Sequence, residues 1–127
     1  MKYFDHEKLD VYQATMEFVV IIETIIIQFP KGRGYLVDQL QRAGSSVLLN
    51  IAEGAGEFAV KEKVRFYRMA RRSATECAGI LDICRRLCLI DEEMSLKSRD
   101  LLMRIVSMLT KMARPSSVTQ AGKQTFT

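Results

Sequence analysis

The sequence contains no tryptophan, one histidine, two prolines and three cysteines among its 127 residues. Each scarcity excludes something. The single histidine, His6, sits at the frayed start of the chain. That rules out a Ser-His-Asp triad unless this end folds over, and it argues against histidine-based acid–base chemistry. Three cysteines are an odd number. The stretch Met1 to Asp10 is charged and has no apolar h-region, so a disulfide framework is not expected. Cys77, Cys84 and Cys88 are spaced by seven and four residues. Zinc sites usually draw Cys-x2-Cys pairs from several elements. These three read instead as small hydrophobes on the apolar seam of one helix, with neither metal nor cofactor expected.

Long apolar runs are also missing. The best, Phe18 to Ile27, is ten residues and contains Glu23, whereas a bilayer span needs about 20. The polar face of that segment is acidic, unlike a membrane-surface helix. The expected location is therefore the cytoplasm. Nothing alternates at period two, so no sheet is expected. Gly32-Arg33-Gly34 and Gly54-Ala55-Gly56 lack the strand context and the lysine of a phosphate loop. They read as helix caps and turns.

What remains is a helical chain of ordinary globular composition, 48% hydrophobic and 27% charged, long enough for one domain with a core. Seven methionines suit helix packing. Helix one is expected over about Glu7 to Gln28, with Asp5 as N-cap and Phe29-Pro30 as the stop. Helix two is expected over Tyr35 to Ala55, and helix three over Ala59 to Cys88. Helix four begins at the acidic Asp91-Glu92-Glu93 and ends near Ala113. The predicted fold class is all-α, an up-and-down four-helix bundle over residues 1–113 that assembles as a symmetric homo-oligomer. Residues 114–127 are polar and small, and read as a disordered tail. The case for self-association is helix one. Leu9, Tyr12, Met16, Val19 and Ile26 form one apolar stripe, and Val11, Phe18, Ile22, Ile25 and Phe29 form a second. A monomeric bundle needs only one.

Helix two carries two unlike faces. At 100° per residue, Gln39, Arg42, Ser46, Asn50 and Glu53 fall within about 80° of one another. Leu36, Leu40, Ala43, Val47 and Ile51 make the neighbouring apolar stripe. Arg42 and Glu53 lie about 16 Å apart along the axis, so they cannot act together on one small substrate. The polar stripe reads as a structural network: Arg42 and Glu53 pair with charges on neighbouring helices, Glu76 being a candidate for Arg42, while Asn50 and Ser73 add hydrogen bonds. Such a network sets register or subunit docking more than it adds stability.

Charge is uneven along the chain. Residues 1–56 carry five basic and seven acidic side chains, a net of −2; residues 57–127 carry fourteen and eight, a net of +6. On helix three, Phe66, Ala70, Ser73, Cys77, Ile80, Cys84 and Leu87 follow an alternating four–three spacing and form the expected core seam. On the other side, Lys61, Arg65, Arg68, Arg72 and Arg86 fall within about 20° of a common line. Arg71 and Arg85 lie off it. Guanidinium groups match phosphate oxygens bidentately. No stacked aromatics or glycine loops accompany the stripe, so the contact expected is with the RNA or DNA backbone rather than with base edges. The bland reading is a solvated face paired within the helix by Glu62, Glu76 and Asp82.

The run Arg42-Ala43-x-x-Ser46-x-x-x-Asn50-Ile51-Ala52-Glu53-Gly54 resembles the signature of the four-helix bundle proteins encoded by intervening sequences in bacterial 23S ribosomal RNA genes. Leu9-Asp10-Val11-Tyr12 resembles that family's L-x-V-W opening, with Tyr12 in place of Trp. Phe29-Pro30 resembles the end of its first helix. Phe66 to Glu76 resembles its F-L-x-x-A-x-G-S-x-x-E stretch, with Arg72 replacing a small Gly and adding a charge, and with Cys77 where Leu is usual. The resemblance covers residues 5 to 112 and implies the bundle fold and a ring-forming oligomer, commonly a pentamer. The expected function is a non-enzymatic self-assembling bundle that binds nucleic-acid backbone through helix three. The alternative is a protein–protein adaptor or structural ring without a nucleic-acid role.

Overall fold

A computed structural model describes residues 2–114. The tail expected beyond Arg114 lies outside the described residues. Within them the chain forms a short 3-10 turn at Asp5–Lys8 and four helices: α1 (Asp10–Ile26), α2 (Gly34–Gly56), α3 (Val60–Arg86) and α4 (Glu92–Met112). No strand occurs among the described residues. No described helix is long and apolar enough to cross a membrane.

The loops are short, so consecutive helices run antiparallel. Each helix packs on two neighbours: α2 on α1 and α3, and α4 on α3 and α1. The diagonal pairs α1/α3 and α2/α4 stay apart. The apolar stripe of α2 is the centre of the core, with Leu36, Leu40, Ala43, Val47 and Ile51 all buried. Phe18, Ile22 and Ile25 of α1 join the same buried cluster, as do Ala70 and Cys77 of α3 and Ile105 and Leu109 of α4.

Several helix ends differ from the sequence reading, each for a local reason. α1 starts at Asp10 because the preceding residues close their own 3-10 turn. There the Phe4 N–H donates to Glu7 Oε1 at 3.2 Å, and Gln13 Nε2 donates to the Glu7 carbonyl at 3.0 Å. Leu9, rather than Asp5, is the N-cap of α1. His6 is consequently held, not frayed. Its ring stacks on Phe4 at 5.6 Å and tilts against Tyr12 at 4.6 Å. α4 starts as its acidic residues suggest, with Asp91 Oδ1 accepting the Met94 N–H at 2.7 Å.

α3 ends at Arg86 in a Schellman motif. The Leu89 N–H reaches the Cys84 carbonyl at 2.8 Å and the Cys88 N–H the Arg85 carbonyl at 3.0 Å. Cys88 holds the left-handed position, with φ of 58°. It is exposed, whereas Cys77 and Cys84 are buried, so only two of the three cysteines lie on the core seam. Burial, and then the neighbouring Glu76 carboxylate, push the Cys77 thiol up to about 12, which leaves it unreactive at neutral pH.

The core face of α3 is rotated from the one expected. Tyr67, Ala74 and Leu81 are buried alongside Ala70, Cys77, Ile80 and Cys84. Phe66 and Ser73 sit half-buried at the edge, and Leu87 is exposed. Gly54 explains the rotation. It lies inside α2 rather than ending it, and a Cβ added there would stand 2.7 Å and 2.9 Å from the Tyr67 ring carbons. Only hydrogen at that position lets the ring lie against the α2 backbone.

α1 buries its second stripe, with Val11, Phe18, Ile22 and Ile25 in the core. Much of the first stripe is covered too, since Leu9, Tyr12 and Ile26 are partly buried against it. The large apolar side chains left open are Met16 of that first stripe, Val20, and Ile27 at the C-cap of α1.

Two substitutions test these contacts. Gly54→Ala forces the buried Tyr67 ring away and should cost about 1–3 kcal/mol of stability, read from the midpoint of urea unfolding. An unchanged midpoint would contradict the close approach. Cys88→Gly relieves a left-handed non-glycine residue, a conformation that costs about 1–2 kcal/mol in an L-residue. Part of that gain is returned to the more flexible unfolded chain. The same measurement should show a small stabilisation, and a loss would argue against the left-handed cap.

Candidate nucleic-acid interface

Two groups of side chains stand out on the α2–α3 half of the bundle: a polar seam between the helices and a cationic ridge on the outer side of α3. Both follow from the antiparallel register, in which α2 residues of rising number meet α3 residues of falling number.

The seam begins at Arg42, whose Nη2 lies 2.6 Å from Glu76 Oε2. One turn on, the Ser46 and Ser73 hydroxyls share a hydrogen bond of 2.8 Å. Asn50 Nδ2 donates to the Ser46 carbonyl at 2.8 Å and to Ser46 Oγ at 3.1 Å. The sequence put Arg42, Ser46 and Asn50 on one stripe and offered Ser73 and Glu76 as partners, and here the five touch. Glu53 does not join them. It is exposed, and among the described residues it has no hydrogen bond or ion pair. The neighbouring carbonyls of Gly54 and Ala55, at the end of α2, are instead capped by Lys63 Nζ at 2.9 Å and 3.1 Å. Lys63 had no place in the sequence reading. Its signal was only a cation shortly after a helix end, which many solvated lysines share.

The seam is not sealed within one chain. Arg42 and Glu76 are both open to solvent, so their pairing adds little stability. Ser46, Asn50 and Ser73 form the half-buried floor of a surface notch rimmed by Met69, Arg72 and Glu76. Arg72 is exposed on the rim of that notch, so its bulk is accommodated at the surface and not in the core.

The ridge gathers Lys61, Arg65, Arg68 and Arg72 over three turns, about 16 Å of helix. All four are exposed. Arg65 is partly neutralised: its Nη2 lies 2.9 Å and its Nε 3.0 Å from the Glu62 carboxylate. It also covers the Phe66 ring at 4.5 Å. That hydrogen-bonded pairing holds the Glu62 carboxyl below its ordinary range. Lys61, Arg68 and Arg72 have no ion-pair partner among the described residues. Arg86, by contrast, stands alone. Thr75, Gly79 and Asp82 interrupt the line, and about 21 Å of helix separates it from Arg72.

Arg71, off the line, is fixed by donating from Nε to Thr110 Oγ1 at 2.8 Å, and Thr110 in turn donates to the Val106 carbonyl at 2.7 Å. This contact brings the end of α4 beside the ridge. Arg68, Arg71 and Arg72 share a hollow with Thr110 and Ala113, and the exposed Lys111 and Arg114 lie at the same end of the bundle. The local surface is therefore more cationic than the α3 line alone indicates.

Among the described residues no group of three or more histidine, cysteine or acidic side chains could hold a metal ion. A search of curated proteins returns no match. The family model of the 23S rRNA-intervening sequence protein matches residues 7–111, which takes in all four helices, the seam and the ridge, and on that match the chain belongs to the 23S rRNA-intervening sequence protein family.

Proposed function

We propose that this protein is a non-enzymatic cytoplasmic bundle that assembles with copies of itself and meets the phosphate backbone of RNA or DNA through the first half of α3. The observation that carries the reading is charge without compensation. Lys61, Arg68 and Arg72 project from one helix face with no ion-pair partner among the described residues. Arg71 stands beside two of them, sharing a hollow with Arg68 and Arg72. Like charges held this close repel, and a polyanion relieves that repulsion while releasing its own counterions. Within the ridge the one ring, Phe66, is half-buried beneath Arg65 and offers no open stacking face, which suits phosphates rather than bases. Assembly would repeat the ridge around a symmetry axis and sum its field. The polar seam supports a structural rather than catalytic role for Ser46, Asn50 and Ser73, since these groups spend their hydrogen bonds on one another.

A second reading, a protein-binding ring with no nucleic-acid partner, is favoured by one feature. Phe58 is fully exposed in the α2–α3 loop, just before the ridge, and an exposed aromatic beside arginines is a common protein-contact pattern.

Salt separates the two readings. Fluorescence anisotropy of a labelled generic RNA and a labelled DNA duplex should show micromolar or tighter binding at low salt. Affinity should fall steeply toward physiological salt, with a logarithmic slope of about −0.7 to −0.9 for each phosphate neutralised. Arg65→Glu, Arg68→Glu and Arg72→Glu together should abolish it. Binding that survives this triple change would show that the ridge is not the contact. For the seam, Asn50→Leu should leave helicity by circular dichroism intact but broaden the oligomer distribution seen by sedimentation. An unchanged, monodisperse assembly would count against a docking role for the seam.

A further inference from the structure

We propose that the outer line of α1 on one copy seats in the groove between α3 and α4 of the next, giving a head-to-tail contact. The inference rests on the self-association proposed above and names the surfaces that carry it.

The groove is a cleft of 380 Å³ floored by Ala78, Leu81, Leu102 and Val106, with Met103 on its lip. It runs along α3 from Thr75 to Arg85, about 15 Å of helix. Met103 is 61% exposed, and Leu96, seven residues earlier on the same side of α4, is 52% exposed. On α1 and its C-cap residue, Met16, Val20 and Ile27 fall within about 40° of one another over about 16 Å. Val20 is 60% and Ile27 78% exposed. The two apolar features match in length, and each leaves large side chains in water that a single chain does not cover.

Charge decides how they can meet. The α1 line is flanked by Glu17 and Glu23, both exposed. Glu23 Oε1 accepts a hydrogen bond from Gln41 at 3.2 Å, and Glu17 shares a shallow hollow with Arg104 without an ion pair. The groove is rimmed by Arg85 and Arg99, with Asp82 beside Arg85. Two α1 lines face to face would oppose glutamates, and two grooves would oppose arginines. The complementary arrangement places α1 of one copy against the groove of another, where Glu17 and Glu23 approach Arg85 and Arg99. The uneven charge of the chain, −2 over residues 1–56 and +6 over residues 57–127, acts in the same direction. Such a contact joins two different patches, so it closes into a ring or continues as an open chain. The groove occupies the second half of α3, and the ridge from Lys61 to Arg72 stays outside it.

The test is charge reversal with rescue, read by sedimentation velocity across a concentration series. Glu17→Arg with Glu23→Arg, and separately Arg85→Glu with Arg99→Glu, should each weaken assembly by about tenfold or more, because each opposes like charges across the contact. All four changes in one chain should restore it. Circular dichroism should show full helicity throughout, since all four positions are exposed. If the unaltered chain assembles and neither reversal weakens it, or if the combined variant is not restored, this interface is wrong while self-association stands. If the unaltered chain sediments as a 14.5 kDa species, the self-association reading itself fails, and this interface with it.

Discussion

The close approach of α2 and α3 is the constraint on which the rest of the structure depends. It is set at one end by Gly54, whose missing side chain admits the Tyr67 ring. Further along it is set by the hydroxyl contact between Ser46 and Ser73. A Cβ at the first point, or an apolar branch at the second, would push the helices apart. These two contacts fix the rotation of α3 about its own axis. That rotation decides which side chains enter the core and which stand outside, and so it aims Lys61, Arg68 and Arg72 at solvent as a group.

The energetics separate what holds the fold from what serves a surface. Stability comes from the apolar interior, where α2 contributes a fully buried stripe to a cluster shared by all four helices. Burial on this scale dominates any exposed ion pair. The charged groups are therefore free to serve recognition. On the ridge they leave like charges close together. Around the α3–α4 groove they are spaced by apolar surface, as interface rims are. The two halves of α3 thus present two kinds of surface, a cationic ridge and an apolar groove, without sharing residues.

Much of this was legible in the sequence, and the exceptions have physical causes. The α2 stripes were clear because a 100° periodicity with two chemically distinct faces has few alternative readings. Glu76 was one candidate partner for Arg42, and the antiparallel register brings the two together. The core seam of α3 was less clear. The spacing from Phe66 to Leu87 is regular, yet the true core face includes Tyr67, one residue and 100° away. Nothing in the α3 sequence reports that a glycine on α2 makes room for that ring. Cys88 was read as a continuation of the helix because its chemistry suits the core. The left-handed cap is a backbone feature, and glycine usually marks it where cysteine stands here. Glu53 shares the α2 polar face, but the α3 cation at its level, Lys63, is engaged by the Gly54 and Ala55 carbonyls that end the helix. The place of Arg71 was hidden because the hollow it shares with Arg68 and Arg72 is completed by Thr110 and Ala113, which arrive only through the antiparallel return of α4.

Native-state hydrogen exchange, resolved by residue, tests the central claim most directly. If the α2–α3 seam organises the bundle, the amides of Ala43 to Ile51 and of Ala70 to Cys77 should exchange only through global unfolding. Those of α1 and α4 should open at lower free energy. Finding α1 or α4 the most protected, with the α2–α3 seam opening first, would contradict the account.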